Sequence, residues 1–171
     1  IASAYQDRWQ TLGGDIAGTG RYDSSAHDFS ATIKTLLHLD QSVARHQEIQ
    51  KWLGKRVEFE PRRREDVDAI FLAARPIQAQ GMRPQLQFHR AADLPVYATS
   101  HAWSGRLSRN QAADLRGILL PDIPWLIQQD KPGLSQSTVA DFFPASASAL
   151  GRLYAMGMDA VKLAPHLGRL R

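Results

Sequence analysis

The octapeptide Val67 to Ala74, VDAIFLAA, constrains the fold more than any other stretch of the chain. It is nearly all apolar and of strand length. A strand without polar alternation is buried on both faces of its sheet, which is the habit of parallel sheets in α/β proteins. Arg75-Pro76 follows at once, and proline suits the first turn of a helix. Pro95 to Ser100 (PVYATS) and Gly117 to Leu120 (GILL) are two further strand candidates, with a short helical segment at 110–116 between them. Strands alternating with helices at crossover lengths predict an α/β layer with a parallel sheet and helices on both faces.

The flanks can be read in the same terms. Ala4, Tyr5, Arg8, Trp9 and Leu12 recur at helical spacing, and Gly13-Gly14 ends that helix. Residues 15–22 read as a short strand and 23–25 as a turn. Asp28 or Ser30 caps a helix whose apolar face is Phe29, Ile33, Leu36 and Leu37. A helix over 40–54 is expected to turn Val43, Ile49, Trp52 and Leu53 inward. Val57 and Phe59 alternate with Glu58 and Glu60 as a brief strand that Pro61 breaks. Gly81 and Pro84 predict a bend or two short pieces after Pro76, with Leu86, Phe88 and Leu94 continuing the buried side. Residues 121–137, rich in proline, read as irregular. A final helix is expected over 146–163, with Leu150, Leu153, Tyr154, Met158, Val161 and Leu163 as its apolar positions.

The 171 residues suffice for one domain with a hydrophobic core, and no apolar run approaches the roughly 20 residues of a membrane helix. The chain has no cysteine, which removes disulfides, thiol catalysis and cysteine-ligated zinc. Its net charge of +4 is uneven. Residues 61–110 hold 8 basic and 4 acidic groups, while the segments on either side are nearly balanced. The cluster Arg62, Arg63 and Arg64 is neutralised locally by Glu65, Asp66 and Asp68, and aromatics do not interleave with it. A nucleic-acid partner is therefore not expected. The first residue is Ile1 and the opening reads as a helix already under way, so the chain is expected to be a piece of a longer one.

No catalytic signature is present: no GxSxG, HExxH or GxxxxGK[ST]. Gly18-Thr19-Gly20 lacks the third glycine and the strand-to-helix turn of a dinucleotide site. The six histidines never fall at i, i+3 or i, i+4, so no metal site is expected. His101, Ser104 and Asp122 could in principle form a triad, but triads are recognised by geometry. Ligands of open α/β sheets sit beyond the carboxyl ends of the strands. That placement makes Arg75, Ser100, His101, Trp103, Asp122 and Trp125 the cleft candidates. Four of these also have a plain reading: His101 as a loop histidine bonded to backbone, Trp103 and Trp125 in core or hinge packing, and Asp122 as a turn cap or simply exposed.

The segment GGDIAGTGRYDSSAHDFSATIKTLL resembles the start of the second lobe of type I periplasmic binding proteins. KRVEFEPRRREDVDAIFLAA, RPQLQFHRAADLPVYATSHAWSG, GILLPDIPWL and GRLYAMGMDAVKLAPHL resemble the LppC/LpoA (YraM) family of penicillin-binding protein activators, over residues 55–168. The resemblance implies a partial α/β domain, a parallel-sheet, three-layer lobe of the type I periplasmic-binding-protein-like fold. Residues 1–120 would form the second lobe, 121–135 a hinge crossing and 136–171 a helical return toward the first lobe. It implies a non-enzymatic regulator, without cofactor, that binds and activates a bifunctional class A penicillin-binding protein in peptidoglycan synthesis. It further implies a periplasmic protein anchored to the outer membrane by a lipid outside this chain. Arg62, Arg63 and Arg64 are the first candidates for a partner surface, since arginine is enriched in interfaces. The alternative is a receptor for an amino acid or cell-wall fragment in the cleft between lobes.

Overall fold

A computed structural model describes residues 1–105, 108–127, 135–148 and 150–169. The centre is a three-stranded parallel sheet in the order β1 (Ile70–Leu72), β2 (Val96–Ala98), β3 (Ile118–Leu119). Ile70, Val96 and Ile118 lie in register, as do Phe71, Tyr97 and Leu119. Three of the expected strands are thus present and parallel, though shorter than their apolar runs.

Because side chains alternate along a strand, Leu72, Val96 and Ala98 share one face with Ile70 and Ile118. That face enters the core with Phe29, Ile33, Leu37, Ala79, Met82 and Leu86. These come from α2 (Ser30–Leu36) with its flanks and from α4 (Pro76–Leu86). Phe71, Tyr97 and Leu119 point the other way. The Phe71 ring stacks on Tyr5 of α1 (Ala2–Thr11) at 3.6 Å, but Tyr97 and Leu119 remain about half exposed. The second face is therefore only partly covered, against the expectation of helices on both.

Local chemistry explains the elements that agree. Gly13 adopts φ +85° just past α1, the left-handed position that favours glycine. Asp23 accepts from the Ser25 N–H and hydroxyl at 2.8 Å, fixing the turn. Asp28 accepts from the Ser30 N–H at 2.9 Å, but the N-cap of α2 is Phe29 with no side-chain cap, so neither Asp28 nor Ser30 is the cap expected. In α5 (Arg109–Asp114), Ser108 and Gln111 form a capping box.

Several expectations are corrected. Residues 15–22 form no strand. Two glycines weaken a strand there, and side chains hold the segment instead: Gln6 Nε2 donates to Thr19 Oγ1 at 2.7 Å and Trp9 Nε1 to the Asp15 carbonyl at 3.1 Å. Residues 57–59 form no strand either, and the Phe59 ring stacks on His46 at 4.1 Å. Helix α3 (Leu39–Leu53) forms as its periodicity predicts, but it buries only Leu39 and Ser42. Val43, Ile49, Trp52 and Leu53 are exposed, Trp52 at 85 %. Periodicity makes a stripe; burying it needs a neighbour, and among the described residues only the first turns have one.

Helix α4 runs unbroken through Gly81 and Pro84 because Gln78, Ala79, Met82, Arg83 and Leu86 are buried along it. The irregularity falls one turn later, at a kink within residues 87–91 where His89 and Arg90 leave helical dihedrals, Arg90 with φ +67°. Phe88 lies before that kink, two residues and about 200° round the helix from buried Leu86, and ordinary helical phase turns it out to 81 % exposure, while Leu94 beyond the kink is buried again.

At the far end, α6 (Pro124–Ile127) and α7 (Gln136–Phe142) form within and after the stretch expected to be irregular. Residues 128–134 of that stretch lie outside the described residues. The last helix, α8 (Gly151–Leu163), starts five residues later than expected, with Ser146 in a preceding 3₁₀ turn. It buries Gly151 and Ala155, leaves Tyr154 and Met158 half-buried, and exposes Leu150, Leu153, Val161 and Leu163. No helix among the described residues is long and apolar enough to cross a membrane.

Candidate functional site

The carboxyl edge of the sheet is organised by a residue that sequence reasoning missed. Arg152, in the first turn of α8, reaches back over the ends of β2 and β3. Its Nη2 donates to Asp122 Oδ2 at 2.6 Å, to the Ser100 carbonyl at 2.9 Å and to the Trp103 carbonyl at 3.1 Å, while Nε donates to Asp122 Oδ1 at 3.1 Å. The Asp122 side chain is 1 % exposed and that of Arg152 31 %. Asp122 Oδ1 also accepts from the Ile123 N–H at 2.8 Å. A charge so buried requires a paired counter-charge with its remaining lone pairs satisfied, and here both conditions are met.

The sequence did hold one signal. A cation in the first turn of a helix opposes the helix dipole, and α8 has no acidic residue in that turn. An arginine so placed calls for an acidic partner elsewhere in the fold.

Of the six cleft candidates, this clamp gathers three. Ser100 and Trp103 contribute backbone carbonyls and Asp122 its carboxylate. Arg75 sits exposed at the N-cap of α4, beyond β1, and His101 is exposed in the 3₁₀ turn Ser100–Ala102. Trp125 is half-buried in α6. The triad geometry is not assembled, because the Asp122 carboxylate accepts from Arg152 and Ile123 and not from His101. A general base needs that orienting bond.

The arginine triplet divides. Arg62 is exposed, and only its backbone is engaged, the N–H donating to Ser42 Oγ at 3.2 Å. Arg63 pairs with Asp93 at 2.6 Å and donates to the Arg64 carbonyl. Arg64 forks onto Asp66 at 2.6 and 2.5 Å, and its Nη1 donates to the Ala17 carbonyl at 2.9 Å. Two of the three guanidinium groups therefore tie this loop to its neighbours.

The Arg64 hydrogen bonds hold the Asp66 carboxyl down at about 2, and the Arg63 hydrogen bond lowers that of Asp93. A carboxyl whose folded pKa is depressed stabilises the fold above its unfolded value, and that contribution is lost as pH falls toward the folded value. The window for Asp66 is thus pH 3.8 down to about 2. His89 is lowered too, first by burial and then by the Lys34 charge, with Asp28 opposing. It favours folding above pH 6.5, less so as pH falls from there toward its depressed folded value. Urea midpoints measured from pH 7 to 2 should decline in two stages. Asp66→Asn should flatten the acid stage and His89→Gln the earlier one. An unchanged profile in either variant would refute the corresponding assignment.

Fold and edge together define the class of protein: an α/β domain with a parallel sheet, its strand ends closed by an internal ion pair. The family follows from comparison. The model of the family described as "LppC putative lipoprotein" matches residues 1–171, and the chain belongs to that family. Among its relatives is the penicillin-binding protein activator LpoA of Photobacterium profundum, 29 % identical over 175 residues. The proteins of the same name from Aliivibrio fischeri and Vibrio cholerae are 25 % and 24 % identical over 174 residues. Each comparison covers 100 % of this chain and 28 % of the relative, so the chain spans little more than a quarter of their length. No solved structure matches.

Proposed function

We propose that this chain is part of a non-enzymatic regulator that binds and activates a bifunctional class A penicillin-binding protein in peptidoglycan synthesis. The observation that carries this reading is the family match along the whole chain, together with relatives named as penicillin-binding protein activators. In this reading the parallel sheet belongs to a lobe of a type I periplasmic-binding-protein-like domain. Residues 1–120 form the lobe, 121–135 the hinge crossing and 136–171 the return. The protein works in the periplasm, held to the outer membrane by a lipid outside this chain. A receptor role at the strand ends is less favoured, because Arg152 already occupies the Asp122 carboxylate.

The test is reconstitution of the full-length protein with its cognate synthase. Polymerisation or cross-linking should speed up on addition of the regulator. Absence of binding together with an unchanged rate would sink the proposal. Within the triplet, Arg62 is the residue free to meet a partner. Arg62→Glu should weaken partner affinity about tenfold, the scale of one lost charged contact, and leave the melting temperature alone. Arg64→Glu, which breaks the Asp66 fork, should lower the melting temperature. If Arg62→Glu leaves affinity unchanged, the triplet is not the contact surface.

A further inference from the structure

The Gly18-Thr19-Gly20 run has no place in the regulator reading, yet it walls a cavity of about 510 Å³ together with Arg21, helix α2 and Arg64. The two glycines let backbone form that wall. A Cβ at Gly20 would stand 2.9 Å from Thr32 Cγ2, and one at Gly18 would stand 3.3 Å from Leu36 Cδ1 and 3.4 Å from Arg64 Nη1. Residues 18–21 belong to no helix or strand, and among the described residues their backbone N–H groups donate to no protein acceptor.

The chemistry of the wall favours one sign of ligand. No residue lining the cavity is acidic. The charge of Arg64 is balanced by Asp66, but exposed Arg21 makes no ion pair with any described residue. Thr19 Oγ1 accepts from Gln6, which leaves its own proton to be donated. The nearby carbonyls of Ala17 and Arg21 already accept, from Arg64 Nη1 and from the Thr32 hydroxyl at 3.3 Å. An unmatched guanidinium and a free hydroxyl proton on the same wall make a receptor for an oxyanion, the acceptor with which charge-assisted hydrogen bonds are strongest. The volume lies in the range of small-molecule sites and exceeds what a bare phosphate fills.

We propose that this cavity binds an oxyanion carried on a molecule of about sugar size, the anion meeting Arg21 and the Thr19 hydroxyl. The proposal does not depend on the regulator reading. Calorimetry with glucose 6-phosphate, gluconate and uncharged glucose tests it and separates phosphate from carboxylate as the source of the anion. One or both anions should bind, and glucose should not. Arg21→Gln should weaken the binding about tenfold. Arg109→Gln, on exposed α5, should leave it unchanged. Failure of both anions to bind, equal binding of glucose, or full affinity in Arg21→Gln would each overturn the proposal.

Discussion

Replacing Asp122 with alanine should lower folding stability by about 3 kcal/mol, the scale for removing one partner of a buried ion pair. The size follows from what the substitution leaves behind. Arg152 would keep its two carbonyl acceptors, at Ser100 and Trp103, but lose the only carboxylate within reach among the described residues. Its partial exposure lets water offset some of that loss, which holds the figure at the low end. Arg152→Ala should cost at least as much, since it strands a carboxylate that is 1 % exposed with only the Ile123 N–H as donor. The double substitution should cost less than the sum of the two, by about 2 kcal/mol, because the second removal relieves the charge stranded by the first. Arg152→Lys should not restore stability, because an ammonium is a single point of donation and loses the second contact, from Nε to Asp122 Oδ1, that makes the carboxylate pairing bidentate. Urea denaturation of the four variants measures all of this. Single substitutions costing under about 1 kcal/mol would mean the clamp is a surface ion pair of the ordinary weak kind.

That clamp marks where sequence reasoning stops. Strand identity and direction were legible because VDAIFLAA, PVYATS and GILL are dense in apolar residues and their separations suit the crossover connections of parallel pairing. The helices were legible as helices, because periodicity is a property of the local chain. Which stripes become buried was not. Val43 and Trp52 in α3, and Leu153 and Val161 in α8, have the spacing of core residues and lie exposed. The candidate edge was half legible. Strand ends pointed to Ser100, Trp103 and Asp122, but the cation that joins them is Arg152, 30 residues beyond Asp122. No short-range pattern couples such positions. The triplet Arg62 to Arg64 shows the same limit. Its composition suggests a surface, yet two of its members have intramolecular carboxylate partners, one of them 30 residues away.

Phe29→Ala should destabilise the chain by about 4 kcal/mol, as expected for deleting a buried aromatic ring. Phe29 is 2 % exposed, meets the Tyr22 ring edge-on at 5.4 Å, and its N–H donates to Gln85 Oε1 at 2.7 Å. The ring also accounts for the glycine inside α4. A Cβ on Gly81 would stand 3.3 Å from Phe29 Cε2, tighter than ordinary van der Waals contact. Glycine in a helix interior costs up to about 1 kcal/mol relative to alanine, and the Phe29 ring supplies the reason that cost is carried. Gly81→Ala alone should therefore be close to neutral, its gain in helix propensity offset by crowding of the ring. In the Phe29→Ala background the crowding is gone, and the same substitution should recover the full gain of about 1 kcal/mol. A double-mutant cycle by thermal or urea denaturation reads the difference. If Gly81→Ala changes stability equally in both backgrounds, the aromatic ring is not what holds glycine at that position.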